Sequence, residues 1–271
     1  MLSNKKVGFI GGGAIAEALI RGILNSKLVS PTQIAVSDIS IQRLDYLHNT
    51  FGVITTNKIQ AVSEQSDILF LTVKPQVIDS VIDSVASSVT VKSVVVSVAA
   101  GITLDYLQEK MPGIPVIRVM PNTPVAVGEG MAAMALGSHT TQEISEPVST
   151  ILGSVGRVVT IREEAMDAVT GVSGSGPAYA FLLIDALSDA GVCVGLSRNT
   201  AVLLAAQTLL GAAKMVLETG KHPAELRDMV TSPGGTTIAG VHVLEQKGVR
   251  GALIDAVVAA TTRSREMGKK S

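Results

Sequence analysis

The chain has few of the residues on which disulfide-stabilised and metal-binding folds depend. It contains no tryptophan, 3% aromatic residues and a single cysteine, Cys193, which has no partner for an internal disulfide. We expect Cys193 to pack within the apolar run around it. The four histidines, His48, His139, His222 and His242, are scattered without the spacing of metal ligands. The sequence therefore predicts neither a disulfide framework nor a metal site.

Charge is also scarce. Charged residues make up 17% of the 271 positions, and 22 basic residues against 23 acidic ones leave a net charge of −1. Basic residues form no block or stripe that could follow a phosphate backbone. We therefore expect no nucleic-acid partner.

The apolar content, in contrast, is high enough to raise the question of a membrane. The mean hydropathy is +0.42. Two long uncharged stretches, 168–184 and 199–213, are interrupted by polar residues or glycine and are shorter than the roughly 20 residues of a membrane span. We interpret them as buried helices whose surplus apolar surface forms a subunit interface. Since no signal-type apolar segment is found, we expect a cytoplasmic protein without a membrane partner.

Glycine is abundant, and three glycines stand together directly after an apolar run near the start of the chain. The run 6–10 has the character of a buried strand, and apolar residues recur at helical spacing over 18–24. Between them, Gly11–Ala16 reads G-x-G-x-x-A, the dinucleotide-binding fingerprint in its strand–turn–helix context. Gly11 allows the tight turn, and Gly13 lets the backbone approach a pyrophosphate. The alternative is a glycine-rich turn without a cofactor.

The end of the second predicted strand, 34–37, decides which ribose fits. Asp38 could accept a hydrogen bond from a ribose 2′-hydroxyl, which favours NAD. Ser37, with Arg43 nearby, could instead hold a 2′-phosphate, which favours NADP. The sequence leaves both alternatives open.

Further buried strands are predicted at 67–73, 94–98 and 116–119. The loops that follow them lie at the carboxyl edge of the sheet, where open α/β folds bind ligands. Lys74 in the first loop is either near the cofactor or simply solvated. Asn122 either bonds a carboxamide or serves only the turn. With closing strands at 130–136 and 157–161 around a helix at 142–152, residues 1–162 form a predicted Rossmann-like α/β domain.

Residues 163–271 are predicted to be helical throughout. Helices are expected at 166–172, 178–194, 197–219, from 222, from 236 to about 247, and at 249–267. The turn Ser232-Pro233-Gly234-Gly235 precedes the fifth of these. Glycines at a helix start leave backbone N–H groups open at the positive end of the helix dipole, which predicts an anion site. The alternative is an ordinary turn with threonine as the N-cap.

The helical half offers no acid for protonating an alkoxide, as ketone reduction would require. Imine reduction differs, because the nitrogen can be protonated before the hydride arrives. An imine that carries a carboxylate therefore fits an anion site with threonine hydroxyls beside it. A serine hydrolase is not indicated, since residues 171–176 do not read G-x-S-x-G.

Five segments resemble the Δ1-pyrroline-5-carboxylate reductase family: 11–16, 73–75, 118–124, 173–179 and, most specifically, 228–237. The resemblance implies an N-terminal Rossmann-like domain followed by an all-α dimerisation domain of the 6-phosphogluconate-dehydrogenase-like class. It implies an NAD(P)-dependent oxidoreductase that transfers hydride from NADPH, with NADH also accepted, to the imine carbon of 1-pyrroline-5-carboxylate. The product is L-proline, in the last step of proline biosynthesis. The minimal unit would be a homodimer, with a decamer as one larger assembly.

The resemblance also assigns roles to residues. Thr237 would be the catalytic residue, bonding the ring nitrogen through its hydroxyl, and the backbone of Gly234, Gly235 and Thr236 would hold the carboxylate. Val230 and Ser232 would line the same pocket. The cofactor-binding residues expected from the fingerprint and the resemblance are Gly11, Gly12, Gly13, Ala14, Ile15, Ala16, Ser37, Val73, Lys74, Pro75, Ala99, Met120, Pro121, Asn122 and Thr123.

Two rival functions remain at this stage. A β-hydroxyacid dehydrogenase would carry a catalytic lysine where this chain has Ala180, and an asparagine near Leu183 and Ile184. A non-catalytic NAD(P) sensor would use the helical half only for dimerisation and would need no anion site at the turn before residue 236.

Overall fold

The first half of the chain forms a twisted, mostly parallel sheet. The computed structural model describes residues 2 and 4–268. Its strands are β1 (Val7–Ile10), β2 (Ile34–Ser37), β3 (Ile54–Thr56), β4 (Ile68–Leu71), β5 (Val94–Ser97), β6 (Val116–Pro121), β7 (Gly130–Leu136) and β8 (Gly156–Thr160). They are ordered β3-β2-β1-β4-β5-β6-β7-β8. Among the described strands, β6 and β7 pair antiparallel and all other neighbours pair parallel. The strand order therefore changes direction between β1 and β4, and sheets of this kind bind ligands at such a point.

Helices cover both faces of this sheet. They are α1 (Ala14–Asn25), α2 (Ile41–Phe51), α3 (Ile59–Ser63), α4 (Ile78–Ala86), α5 (Leu104–Lys110) and α6 (Gln142–Gly153). Because side chains alternate along a strand, Phe9 and Ile10 of β1 belong to two different apolar clusters. One cluster includes α1 and α6, and the other includes α4 and α5. A sheet buried on both sides explains why β1, β4 and the first three residues of β5 are continuous apolar runs.

The second half is helical, as predicted. After α7 (Met166–Val169) a π-helical turn spans Thr170–Gly174, and then come α8 (Gly176–Cys193), α9 (Arg198–Thr219), α10 (Pro223–Met229), α11 (Thr236–Gln246) and α12 (Val249–Gly268). The helix predicted at 166–172 thus ends early, at Val169. Pro177 lies in the first turn of α8, where its missing N–H costs nothing.

The prediction of buried helices in this half is wrong for the single chain. Only Ala201 and Ala205 are buried among the described residues of α9, and Leu203 is 68% exposed. Cys193 is exposed as well, so its predicted packing is also wrong. By length and composition alone α9 could cross a membrane, a test that apolar core helices also pass. The high hydropathy of α9 therefore reflects an exposed apolar surface in the single chain and not a buried core.

The chain divides into two compact units. One comprises residues up to Gly174 together with the chain from Ala260 onward, and the other spans Ser175–Ala259. The division lies after the domain boundary predicted at residue 162, because Met166 of α7 is buried in a cluster of the sheet unit. Ser264 near the end of α12 also donates a hydrogen bond of 2.6 Å to Asp167. The sheet unit therefore includes helical segments that precede and follow the second unit in the sequence.

Candidate functional site

The glycine loop between β1 and α1 has the geometry of a dinucleotide fingerprint. Gly11 has a φ of +98°, and a Cβ there would lie 2.9 Å from the carbonyl oxygen of Thr72. The Gly11 N–H donates to the Ser37 carbonyl at 2.7 Å, and the Thr72 hydroxyl donates to the Gly11 carbonyl at 2.6 Å. The turn is thus fixed from the ends of both neighbouring strands, and only glycine suits its first position.

Gly13 differs from Gly11, because it leaves open space. No described atom lies within 4 Å of the position that a Gly13 Cβ would take. Gly13 is the N-cap of α1, and no side chain in the described part of the chain caps this helix. The first N–H groups of α1, from Ala14, Ile15 and Ala16, have no acceptor inside the helix. Open space and outward N–H groups at a positive helix end fit a pyrophosphate.

The residues expected at the ribose contact their own chain. The Asp38 carboxylate accepts from the Gly12 N–H at 2.7 Å and from the Ser40 N–H at 2.9 Å. Ser37 is 2% exposed. Arg43 donates through Nε to the Gly12 carbonyl and forms an ion pair of 2.5 Å with Glu17. Asp38 keeps lone pairs for a ribose hydroxyl, whereas the Arg43 guanidinium faces the loop and an acid.

The three predicted cofactor loops meet at one edge of the sheet. Strands β4, β5 and β6 are parallel neighbours, so the loops that follow them leave from the same edge. In these loops Lys74 and Thr123 are exposed and Ala99 is 4% exposed. The remaining predicted residues here are Val73, Pro75, Met120, Pro121 and Asn122. Their common location agrees with the expected edge of a nicotinamide cleft.

The Asn122 side chain has a structural function that the sequence did not reveal. Its Oδ1 accepts from the Met131 N–H at 2.8 Å, and its Nδ2 donates to the Ser173 carbonyl at 3.1 Å. These bonds join the end of β6 to β7 and to the π-helical turn. One N–H of the amide is left for a carboxamide, so the predicted contact stays a prediction.

A buried ion pair beside these loops was missed entirely. Arg118 in the middle of β6 is 6% exposed, and its Nη1 donates to Glu163 Oε1 at 2.8 Å. The same oxygen accepts from the Leu104 N–H, which opens α5, at 2.7 Å. A buried charge requires a partner, so an arginine within an apolar strand was the available signal. The pair fixes the start of α5 against β6, beside the loop after β5.

The turn before α11 is a second glycine-begun helix start. Gly234 has a φ of +66°, and a Cβ on Gly235 would collide with the Ser232 hydroxyl. Gly235 is the N-cap, and no described side chain caps the helix. The alternative of a threonine N-cap is therefore wrong. The Gly235 N–H donates to the Ser232 carbonyl at 3.0 Å, so it is already used within the turn. The open donors are those of the first helical turn, beginning at Thr236 and Thr237.

A shallow cavity of about 470 Å³, open to solvent, lies beside this turn. It is lined by Gly234, Gly235, Ile238, Ala239, Val241, His242 and Glu245. Thr237 does not line it. Val230, Ser232 and Thr236 do not line it either. The structure thus brings only two of the six predicted substrate residues, Gly234 and Gly235, to this cavity, and Thr237 is half-buried outside it.

Both halves of the chain are similar to known protein families. Residues 163–267 match the family model for pyrroline-5-carboxylate reductase dimerisation, and residues 6–101 match that for coenzyme F420-dependent NADP oxidoreductase. The chain is 48% identical to pyrroline-5-carboxylate reductase of Arabidopsis thaliana, over 97% of this chain and 96% of that one. The expected dimerisation domain thus coincides with the exposed apolar helices.

Solved structures give the same result. The chain resembles a pyrroline-5-carboxylate reductase from Coxiella burnetii with a TM-score of 0.92 and 34% identity, covering 98% of this chain and 99% of that one. It resembles the Plasmodium falciparum pyrroline carboxylate reductase, solved with NADP bound, with a TM-score of 0.88 and 30% identity, covering 99% and 100%. The predicted fold class, a Rossmann-like α/β domain followed by an all-α dimerisation domain, is confirmed. The chain is a nicotinamide-dinucleotide oxidoreductase. The chain belongs to the pyrroline-5-carboxylate reductase family.

Proposed function

We propose that this protein reduces 1-pyrroline-5-carboxylate to L-proline with hydride from NADPH. The observation that carries the proposal is the presence of two uncapped, glycine-begun helix starts in one chain of this family. One fits a dinucleotide pyrophosphate and the other a small carboxylate. NADPH supplies two electrons and one hydrogen as hydride to the imine carbon, and the nitrogen carries one proton from solvent. The products are the secondary amine and NADP⁺.

The cofactor would lie along the carboxyl edge of the sheet. Its pyrophosphate would take the N–H groups at the start of α1, and the nicotinamide would lie near the loops after β4, β5 and β6. NADPH is proposed as the preferred donor, supported by the relative solved with NADP bound. NADH would also be accepted, because the Asp38 carboxylate has lone pairs beyond its two backbone contacts for a ribose hydroxyl.

The substrate carboxylate would be held by backbone N–H groups at the start of α11. Thr237 would place its hydroxyl at the ring nitrogen, and Val230 and Ser232 would lie beside the ring. Thr237 would act by orientation, since the imine is protonated before hydride transfer. The rivals are less well supported, because Ala180 of α8 supplies no acid. The uncapped start of α11 also fits an anion site, which a sensor would not need.

The assembly would be a homodimer built on the helical half, with a decamer as the larger form. The exposed apolar side chains of α8 and α9, such as Phe181 and Leu204, support burial between copies. The protein would function in the cytoplasm. Light scattering coupled to size exclusion tests the assembly, and a monomer at micromolar concentration would contradict it.

The direct test is oxidation of NADPH and of NADH, followed at the nicotinamide absorbance, with racemic 1-pyrroline-5-carboxylate. Rapid oxidation with formation of proline is expected, faster with NADPH than with NADH. Absence of oxidation with either cofactor, in a protein that still binds one of them, would contradict the proposed substrate.

A further inference from the structure

Arg43 of α2 reaches back to the glycine loop. Its Nε donates to the Gly12 carbonyl, and its Nη2 lies 3.4 Å from the Gly13 carbonyl. The guanidinium also stacks over the Tyr46 ring, 4.9 Å from its centroid. The planar fork of an arginine is suited to holding two neighbouring acceptors at once. Arg43 thus ties α2 to the loop that precedes α1.

These two bonds fix the direction of the peptide N–H groups in the loop. In a trans peptide the carbonyl and the following N–H point in opposite directions. A Gly12 carbonyl held toward α2 turns the Gly13 N–H away from α2. The Gly13 carbonyl is held both by Arg43 and by the Glu17 N–H, at 3.0 Å, which aims the Ala14 N–H out of the helix start. The donors therefore face the open space in front of Gly13.

The charge of Arg43 is balanced within the chain. Glu17 pairs with Arg43 at 2.5 Å and accepts from Arg21 at 2.9 Å and from the Tyr46 hydroxyl at 3.0 Å. Burial works to raise the pKa of Glu17, but the hydrogen bonds from Arg43 and Tyr46 and the charge of Arg43 outweigh it and lower that pKa. Glu17 is thus held as a carboxylate, and it keeps the Arg43 guanidinium against the loop.

We propose that Arg43 is a positioning residue for the cofactor pyrophosphate and not a ligand of the 2′-phosphate. This inference rests on the proposed dinucleotide site at the glycine loop. The pyrophosphate is common to NADPH and NADH, whereas only NADPH carries the 2′-phosphate. Loss of Arg43 should therefore weaken the binding of both cofactors by the same factor.

The experiment measures dissociation constants of NADP⁺ and NAD⁺ by titration calorimetry. The variants are Arg43→Met, which removes the fork, and Arg43→Lys, which keeps the charge without the fork. Arg21→Met is the matched control, because Arg21 pairs with the same carboxylate but gives no hydrogen bond to the loop carbonyls among the described contacts. Melting temperatures are recorded for all four proteins. If Arg43→Met does not fold, Arg43→Lys carries the test.

We expect both dissociation constants to rise about tenfold in Arg43→Met, with a ratio of NADP⁺ to NAD⁺ unchanged within twofold. Arg43→Lys should not restore binding, and Arg21→Met should bind like the wild type. In steady-state assays the KM for either cofactor should rise while kcat stays within twofold.

Three results would overturn the inference. A selective loss of NADP⁺ binding that lysine restores would make Arg43 a 2′-phosphate ligand. Unchanged binding in Arg43→Met would remove any role in positioning. An equal loss in Arg21→Met would trace the effect to Glu17 and not to the loop. If the wild type binds neither nucleotide, it is the proposed function that fails, and not the assignment of Arg43.

Discussion

The two glycine-begun helix starts are alike in sequence but differ in how they are held. The loop before α1 receives contacts from residues distant in sequence, including Ser37, Asp38, Arg43 and Thr72. The turn before α11 has only local contacts among those described, such as Ser232 with Gly235. The loop before α1 is therefore held in place by other parts of the sheet unit. The turn before α11 offers open N–H donors, but no described contact from a distant part of the chain encloses them.

The sheet unit and the helical unit also differ in how far their residues are buried. Strands β1, β4 and β5 are fully buried, whereas none of the described residues of α11 and α12 is buried. The apolar composition of the helical half matches a dimerisation domain, so its core is expected only in the assembled protein. The sheet unit therefore has its core in the single chain, whereas the helical unit is expected to complete its core only on association.

Removing Arg118 should produce the largest change, because it breaks a long-range contact of the sheet unit. Arg118→Ala leaves the half-buried Glu163 without its ion pair, and we expect a loss of about 3–5 kcal/mol in the free energy of unfolding. The matched change in the helical unit is Arg250→Ala, whose pair with Glu245 is exposed on both sides. It should leave the free energy of unfolding unchanged within experimental error. Urea unfolding measures both, and equal losses would contradict the contrast between the units.

Alanine at the two glycines of the first loop should separate folding from binding. Gly11→Ala places a Cβ against the Thr72 carbonyl at positive φ, and we expect it to cost about 1–3 kcal/mol and to abolish cofactor binding. Gly13→Ala meets no described atom, so it should cost less than about 1 kcal/mol while still blocking the pyrophosphate. Calorimetry and thermal melts test this. Normal cofactor binding by Gly13→Ala would move the pyrophosphate elsewhere.

Thr237→Ala should slow turnover without abolishing it. If Thr237 only orients the substrate, we expect kcat/KM to fall by about tenfold, with the cofactor KM and the melting temperature unchanged. An obligatory proton donor would instead contribute about 10²–10⁴-fold. Thr236→Ala, which keeps the backbone N–H and removes the neighbouring hydroxyl, is the control. Complete loss of activity in folded Thr237→Ala would refute the positioning role.

The smallest effect concerns acid stability. The pKa of Glu17 is lowered in the folded protein from its ordinary 4.5, so its contribution is present above that value. It is lost as the pH falls below 4.5 and through the folded pKa. Glu17→Gln should therefore be slightly less stable than the wild type at pH 7, with the difference vanishing toward pH 3. Urea midpoints at both pH values check it, and a difference independent of pH would contradict the ion pair.

Local patterns predicted most of the sheet unit. The strand 34–37 and the strand–turn–helix context of the glycine loop were predicted correctly, because buried strands and tight turns have strong local sequence requirements. Strand β3 was missed, since Ile54–Thr56 is short, at the sheet edge and only partly covered. The pair of Arg118 with Glu163 joins residues 45 positions apart, and no local pattern reveals it.

The helical half was harder for a physical reason. Hydropathy reports that a surface avoids water but not which chain covers it, so α9 and Cys193 were wrongly expected to be buried. The glycine turn before α11 was predicted correctly, but the internal hydrogen bond of the Gly235 N–H and the absence of Thr237 from the cavity lining depend on three-dimensional geometry. The sequence thus predicted where both helices start, but only the structure shows which N–H groups there remain open.

The most direct test of the proposed function follows the hydride itself. NADPH deuterated at C4 of the nicotinamide, prepared in each of the two stereochemical forms, is incubated with the protein and 1-pyrroline-5-carboxylate, and the proline is analysed by mass spectrometry and NMR. We predict one deuterium from one of the two forms, on the ring carbon next to nitrogen that carries no carboxylate. Unlabelled proline from both forms, or no proline at all, would contradict direct hydride transfer to the imine.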